Sequence, residues 1–260
     1  MYKNAPVDFF DPAHIRYGSV LGRIGLATLF ATFLYLNFSA RQRLGWVAGI
    51  LLLYYAALFW VPVPGYGAGD LSLEGNLMGW LDRHLMPGRL KQGTYDELAL
   101  STHLPAFCLT ILGTLAGDLL RGERPALGKV RQLVLWGLAG VGVGLVWNLH
   151  LPINKHLWSG SFIALTAGMA FLFLALFYWL IDVRGYTRWA FFFKVIGMNS
   201  LVIYLTYRFV DFGYTSRLLF EGFYQYLSET WQPVCNALGA LLLVWLFLYF
   251  LYRNKIFVKV

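Results

Sequence analysis

Phe162-Ile-Ala-Leu-Thr-Ala-Gly-Met-Ala-Phe-Leu-Phe-Leu-Ala-Leu-Phe-Tyr-Trp-Leu-Ile181 decides the fold. It holds no charged residue and only one hydroxyl, Thr166, before its aromatic end. A hydrocarbon core about 30 Å thick needs about 20 mostly apolar helical residues to cross it. Lipid offers the backbone no partners, so a continuous run of this length is a helix. It does not alternate as the strand of a β-barrel would.

Working outward, six further runs share this character, at 20–37, 44–61, 104–120, 133–147, 191–209 and 234–251. The composition agrees: 58% hydrophobic, 13% charged, mean hydropathy +0.58. Aromatics reach 18%, as expected where Trp and Tyr line bilayer interfaces. The expected fold is an all-α, polytopic integral membrane helix bundle of about seven transmembrane helices, forming one transmembrane domain over 1–260.

The gaps between runs divide by charge. One alternate set carries Arg41, Arg43, Arg121, Arg124, Lys129, Arg131, Arg184, Arg188, Arg253, Lys255 and Lys259, with Asp118, Glu123 and Asp182 as its acids. The other set carries fewer basic residues, offset by ten acids that include Asp70, Asp82, Asp96 and Glu97. Lys and Arg near helix ends mark the cytoplasmic side. The C-terminus is therefore expected inside and, with seven spans, the N-terminus outside. Residues 1–16 have no apolar core of a signal peptide, so at least one upstream helix is expected to be missing. The net charge of +8 reads as helix flanks facing anionic lipid, not as a nucleic-acid surface. Cys108 and Cys235 fall inside runs and read as small buried hydrophobes. His150 and His156 lack helical metal-pair spacing, and no metal site is expected.

Ionisable and amide groups at membrane depth mark cavities or partners. Arg23, Lys194 and Asn199 are the candidates, with helix-end snorkelling or helix packing as the plainer readings for each. The turn Trp147-Asn-Leu-His-Leu-Pro-Ile-Asn-Lys-His-Leu-Trp-Ser159 is dense in donors. Its Asn154, Lys155 and Trp158 suit a sugar, with an interfacial turn as the plainer reading. Segment 75–85 and the aromatic-rich 211–232 read as interfacial amphipathic helices, and Asp82-Arg83 as a local ion pair.

Several segments, taken in order, resemble one known family. Gly18-Ser-Val-Leu-Gly-Arg-Ile24 is similar to its Gly-Val-Leu-Gln-Arg, and Gly79-Trp-Leu-Asp-Arg83 to its Gly-Tyr-Ile-Asp-Arg. Tyr95-Asp96 matches the start of its Tyr-Asp-Pro-Glu-Gly, without the Pro. Asn154-Lys-His-Leu-Trp-Ser159, Ile181-Asp-Val-Arg-Gly185, Gly197-Met-Asn-Ser200 and the basic end Tyr252-Arg-Asn-Lys-Ile-Phe-Val-Lys-Val260 follow. The family is that of the transmembrane heparan-α-glucosaminide N-acetyltransferases and their bacterial relatives.

The resemblance implies transfer of acetyl from cytosolic acetyl-CoA to a glucosamine amine across the membrane. The location implied is a bacterial inner membrane, with a homodimer as a further expectation. The family's earlier segment, an Asp-x-x-Arg-Gly helix followed by His-x-x-Trp-Asn-Gly, does not occur in this sequence, which has no His-x-x-Trp-Asn-Gly. The chain therefore reads as the C-terminal two-thirds of such an enzyme, incomplete for catalysis, and no catalytic residue is assigned. Coenzyme A carries several phosphates, which basic side chains bind; Lys259, Arg253, Lys255 and Arg23 are the donor-side candidates. Asn154, Lys155, Trp158 and Asn199 are those for the amino-sugar acceptor. The alternatives are an amino-sugar or acyl-donor transporter and a non-catalytic membrane subunit.

Overall fold

A computed structural model describes residues 13–258. Ten α-helices are described: α1 Val20–Asn37, α2 Ala40–Trp60, α3 Leu77–Leu85, α4 His103–Arg121, α5 Ala126–Asn148, α6 Gly160–Tyr178, α7 Ala190–Met198, α8 Ser200–Thr206, α9 Phe212–Tyr224 and α10 Gln232–Arg253. A wider π turn, Trp179–Val183, continues α6. Among the described residues α1, α2, α4, α5, α6 with its π turn, and α10 are long and apolar enough to cross a membrane. The chain is an all-helical polytopic membrane protein, and α3 and α9 occupy the two segments expected to be amphipathic.

The seventh apolar run is divided. Hydropathy reads 191–209 as continuous, but the backbone leaves the helix at Asn199, between α7 and α8. Asn199 is fully buried. Its amide donates to the carbonyl of Ile256 at 3.0 Å, and its Oδ1 accepts from the Val258 amide at 3.2 Å. The side chain thus clamps the chain beyond α10, and the break gives it room to do so. Asn199→Ala is expected to cost about 1–3 kcal/mol by orphaning both groups. Thermal unfolding in detergent and proteolysis of the C-terminal tail measure it; an unchanged tail would dismiss the clamp.

Two compact units divide the chain, one ending at Trp179 and one beginning at Leu180. In the second, α10 packs on α9 and α7. Gly239 lets Ser216 and Tyr224 approach α10, where their hydroxyls donate to the carbonyls of Asn236 and Cys235 at 3.1 Å each. Trp245 stacks between Phe192 and Tyr249.

In the first unit α4 packs against α1, α2 and α6, while α5 and α6 form a tight hairpin. Gly137, Gly140 and Gly144 of α5 meet Gly168, Ala164 and Leu165 of α6 backbone to backbone. Small residues permit that approach where lipid supplies no hydrophobic drive between helices. The up-and-down order gives this unit two ends. The α1–α2 and α4–α5 turns form a basic end. There Arg43 is buried, donates to Thr114 at 2.5 Å, pairs with Asp118 and lies under Tyr35. The start of α1, the long 61–102 connection and the α5–α6 turn form the other, loop end.

Candidate functional site

The loop end of the first unit assembles the motif segments at 18–24, 79–83, 95–96 and 154–159 into one buried polar cluster. The connection folds first on itself. Asn76 caps α3 by accepting from the Gly79 amide at 2.7 Å, and Gly79 lies so close to Tyr95 and the Leu73 carbonyl that a Cβ there would stand 2.9 Å from each. Asp82 and Arg83 do not pair with each other. Asp82 is buried and accepts from the amide and hydroxyl of Ser101, both at 2.9 Å. Arg83 donates to the carbonyls of Thr94 and Glu74. The expected local ion pair is replaced by two contacts that close the connection, because adjacent helical residues do not face each other.

Next, Asp96 anchors the segment before α1. Its carboxylate is 1% exposed and accepts from Arg16 Nε at 2.6 Å and Nη2 at 2.8 Å, and from the amides of Leu98 and Lys91. Burial pushes this carboxyl up, but the Arg16 guanidinium and the two amides outweigh it and hold Asp96 below the usual carboxylate range. Glu97 is held low first by the Lys91 ammonium at 2.9 Å, with His156 at 3.2 Å adding to it. Asp82 moves the other way: burial pushes its carboxyl up against the Ser101 hydrogen bonds, and its Oδ2 has no partner. Burial likewise raises the Tyr95 phenol.

These opposite shifts yield a prediction. Asp82→Asn keeps an oxygen for Ser101 and removes a buried charge, so it is expected to melt at or above the parent at neutral pH. The raised folded pKa means Asp82 favours folding only while protonated, so the gain should vanish below about pH 4. Melting curves at both pH values test this; an Asn variant several degrees less stable at neutral pH would contradict it.

The α5–α6 turn completes the cluster. Asn154 Oδ1 accepts from the amides of His156 and Leu157, its own amide donates to Ser159 Oγ, and Ser159 also caps α6. Tyr54 and Tyr95 hold the turn from outside, donating to the carbonyls of Leu157 at 2.8 Å and His156 at 2.6 Å. The result places Trp158 in the left-handed region at φ 49°. A bulky residue is held there only when its surroundings over-determine it. Its ring stands 4.5 Å from the Arg23 guanidinium.

Arg23 is the centre of the cluster. It is 5% exposed, and its Nη2 donates to the carbonyl of Glu97 at 2.7 Å and to Thr102 Oγ1 at 2.5 Å. Its Nε and Nη1 are buried with no partner. A buried guanidinium that uses one nitrogen of three is costly unless an acceptor completes it. The geometry is thus an oriented cation on an aromatic face, able to receive an anionic or carbonyl oxygen.

The candidates divide among these places. Arg23, grouped by sequence with the donor-side residues, stands instead with the acceptor-side Trp158. Asn154 spends its side-chain oxygen on its own turn, and Lys155 is exposed beside it. Asn199 belongs to the second unit, where its amide clamps the tail. Arg253 is the last residue of α10 and Lys255 lies two residues beyond it, and Lys259 lies outside the described residues. Sequence reasoning missed Arg16, Tyr54 and Thr102 as parts of the cluster. His150 meets Tyr55 and His156 meets Glu97, so the two are not joined; among the described residues no group of three His, Cys, Asp or Glu gathers.

No family model matches the chain. Two curated proteins do. The chain is 27% identical over 244 residues to the heparan-α-glucosaminide N-acetyltransferase of Mus musculus, covering 80% of this chain and 36% of that protein. It is 26% identical over 241 residues to that of Homo sapiens, covering 80% and 35%. The chain thus spans about a third of the length of these relatives, a smaller share than the two-thirds that the motif order implies. The resemblance carried by the ordered motifs is therefore found again over most of the chain, and what it is similar to is a heparan-α-glucosaminide N-acetyltransferase.

Proposed function

We propose that this chain forms the membrane body of an acyltransferase that takes acetyl from acetyl-CoA and passes it to the amino group of a glucosamine at the loop end. The observation that carries this reading is the convergence at Arg23. Motif segments far apart in sequence meet there around a guanidinium with two free nitrogens, seated over Trp158. In the reaction the neutral amine attacks the thioester carbonyl, an N–C bond forms, the C–S bond breaks, and the amine proton leaves with the thiol. A group held at Arg23 by charge-assisted hydrogen bonds is fixed in position. Trp158 offers the apolar face on which a sugar ring stacks. On the charge-based orientation the basic ends face the cytoplasm of an inner membrane. Arg253, Lys255 and Lys259 suit the phosphates of the donor there.

The test is acetyl transfer from labelled acetyl-CoA to glucosamine by membranes containing the chain. Arg23→Gln is expected to lower transfer at least about tenfold, the share of one charge-assisted hydrogen bond. Trp158→Ala should raise KM more than it lowers kcat. A folded, membrane-embedded parent that neither transfers acetyl nor binds acetyl-CoA, or transfer undiminished in both variants, would refute the reading.

A further inference from the structure

The first unit also holds a groove of about 650 Å³ between α2 and α5, floored by α4 and α6. Val47 and Leu51 line one wall, Trp136 and Val143 the other. At the basic end its mouth carries Arg41 and Arg124, both exposed. The carboxylate at that mouth, Asp118, is paired with Arg43, so it does not repel an anion. Arg41, Arg43 and Arg124 against Asp118 leave the mouth with two excess positive charges. The α2 wall runs from Ala40 to Leu51, about 16 Å of helix rise. That matches one leaflet of a hydrocarbon core about 30 Å thick.

We propose that this groove holds the acyl chains of one phosphate-bearing membrane lipid, with its headgroup on Arg41 and Arg124. The chemistry of the walls selects this occupant. Beyond the mouth the lining is apolar, so the two amides in the arm of a coenzyme A would lie there unpaired, at a cost of several kcal/mol. Acyl chains ask for no partners. Phosphate on paired arginines is a favoured charge-assisted contact, and a basic, membrane-facing mouth draws on the anionic lipid beside it.

The experiment uses the purified chain in detergent, with dioleoyl phosphatidylglycerol and dioleoyl phosphatidylcholine as probes. Native mass spectrometry should retain one phosphatidylglycerol per chain, and that lipid should raise the Tm where phosphatidylcholine does not. Arg41→Ala with Arg124→Ala should weaken its binding at least about tenfold. Val143→Trp, which fills the groove and leaves both arginines, should abolish retention. Glycerol 3-phosphate, which lacks the tails, should not stabilise the chain. Equal retention of the two lipids, equal stabilisation by glycerol 3-phosphate, or binding that survives both the arginine and the Val143 changes would overturn the proposal. So would displacement of the lipid by acetyl-CoA whose own binding is lost in Val143→Trp, since the groove would then belong to the donor.

Discussion

Asp96→Ala is expected to destabilise the protein by about 3 kcal/mol, the lower part of the range for breaking a buried ion pair. The carboxylate is 1% exposed and takes four donors, two from Arg16 and one each from the Leu98 and Lys91 amides. Truncation removes all four acceptor positions at once. Arg16 is 28% exposed and can turn toward water, which keeps the cost from the top of the range; the amides cannot turn. Asp96→Asn retains an oxygen and should fall between parent and Ala, separating charge from shape. The pH dependence follows from the depressed carboxyl. Its stabilisation is complete above the unfolded value of about 3.9 and is lost as pH falls through the lower folded value. The acid limb of the parent's stability should therefore steepen below about pH 4, and in Asp96→Asn that limb should flatten. Thermal unfolding in detergent across that range is the measurement. An Ala variant within half a degree of the parent would show that Arg16 and Asp96 hold nothing together. Because Asp96 ties the chain before α1 to the connection that gives Arg23 its Glu97 and Thr102 contacts, the same change should also disturb the setting of Arg23 on which the proposed acetyl transfer rests.

The long helices were legible because hydropathy reports what lipid demands. Run 20–37 is α1, residue for residue. Other helices extend past their apolar runs at polar ends. α2 begins at Ala40 because Ser39 and Gln42 close a capping box, and Arg41 and Arg43 then ride inside the helix. Hydropathy failed at Asn199, where one amide outweighs its apolar neighbours, and it gave no sign that the chain divides near Trp179. The charged gaps were legible only as a sum. Counting Lys and Arg orients a helix, but it does not say that Arg43 is buried against Asp118 while Arg41 stays exposed two residues away. Of the candidate site, the motif segments were visible one by one. Their meeting was not, since Arg16 and Asp96 are 80 residues apart and nothing local links them. Nor was the left-handed Trp158 predictable, because the tyrosines that hold its turn come from elsewhere in the chain.

Gly168→Leu should have an effect as large, by a different cause. A Cβ at Gly168 would fall on the backbone nitrogen of Val141 and lie 2.7 Å from the carbonyl oxygen of Gly137. No rotamer relieves an overlap with backbone, so α5 and α6 must separate. Overpacking of side chains costs about 1–3 kcal/mol, and a clash between backbones belongs at or beyond the top of that range. The consequence is sharper in a membrane, where close packing is what holds helices together. Gly142 supplies the control. It lies on α5 between Gly140 and Gly144, yet a Cβ there meets nothing within 4 Å, so Gly142→Leu should stay within about 0.5 kcal/mol of the parent. Gly140, Ala164 and Ala167 also border the groove, so a hairpin opened at Gly168 should release the bound lipid although Arg41 and Arg124 are intact. Melting curves and lipid retention of the two variants, measured side by side, decide the point. If both behave alike, the glycine contact is not what joins α5 to α6, and the walls of the groove are held by α4 instead.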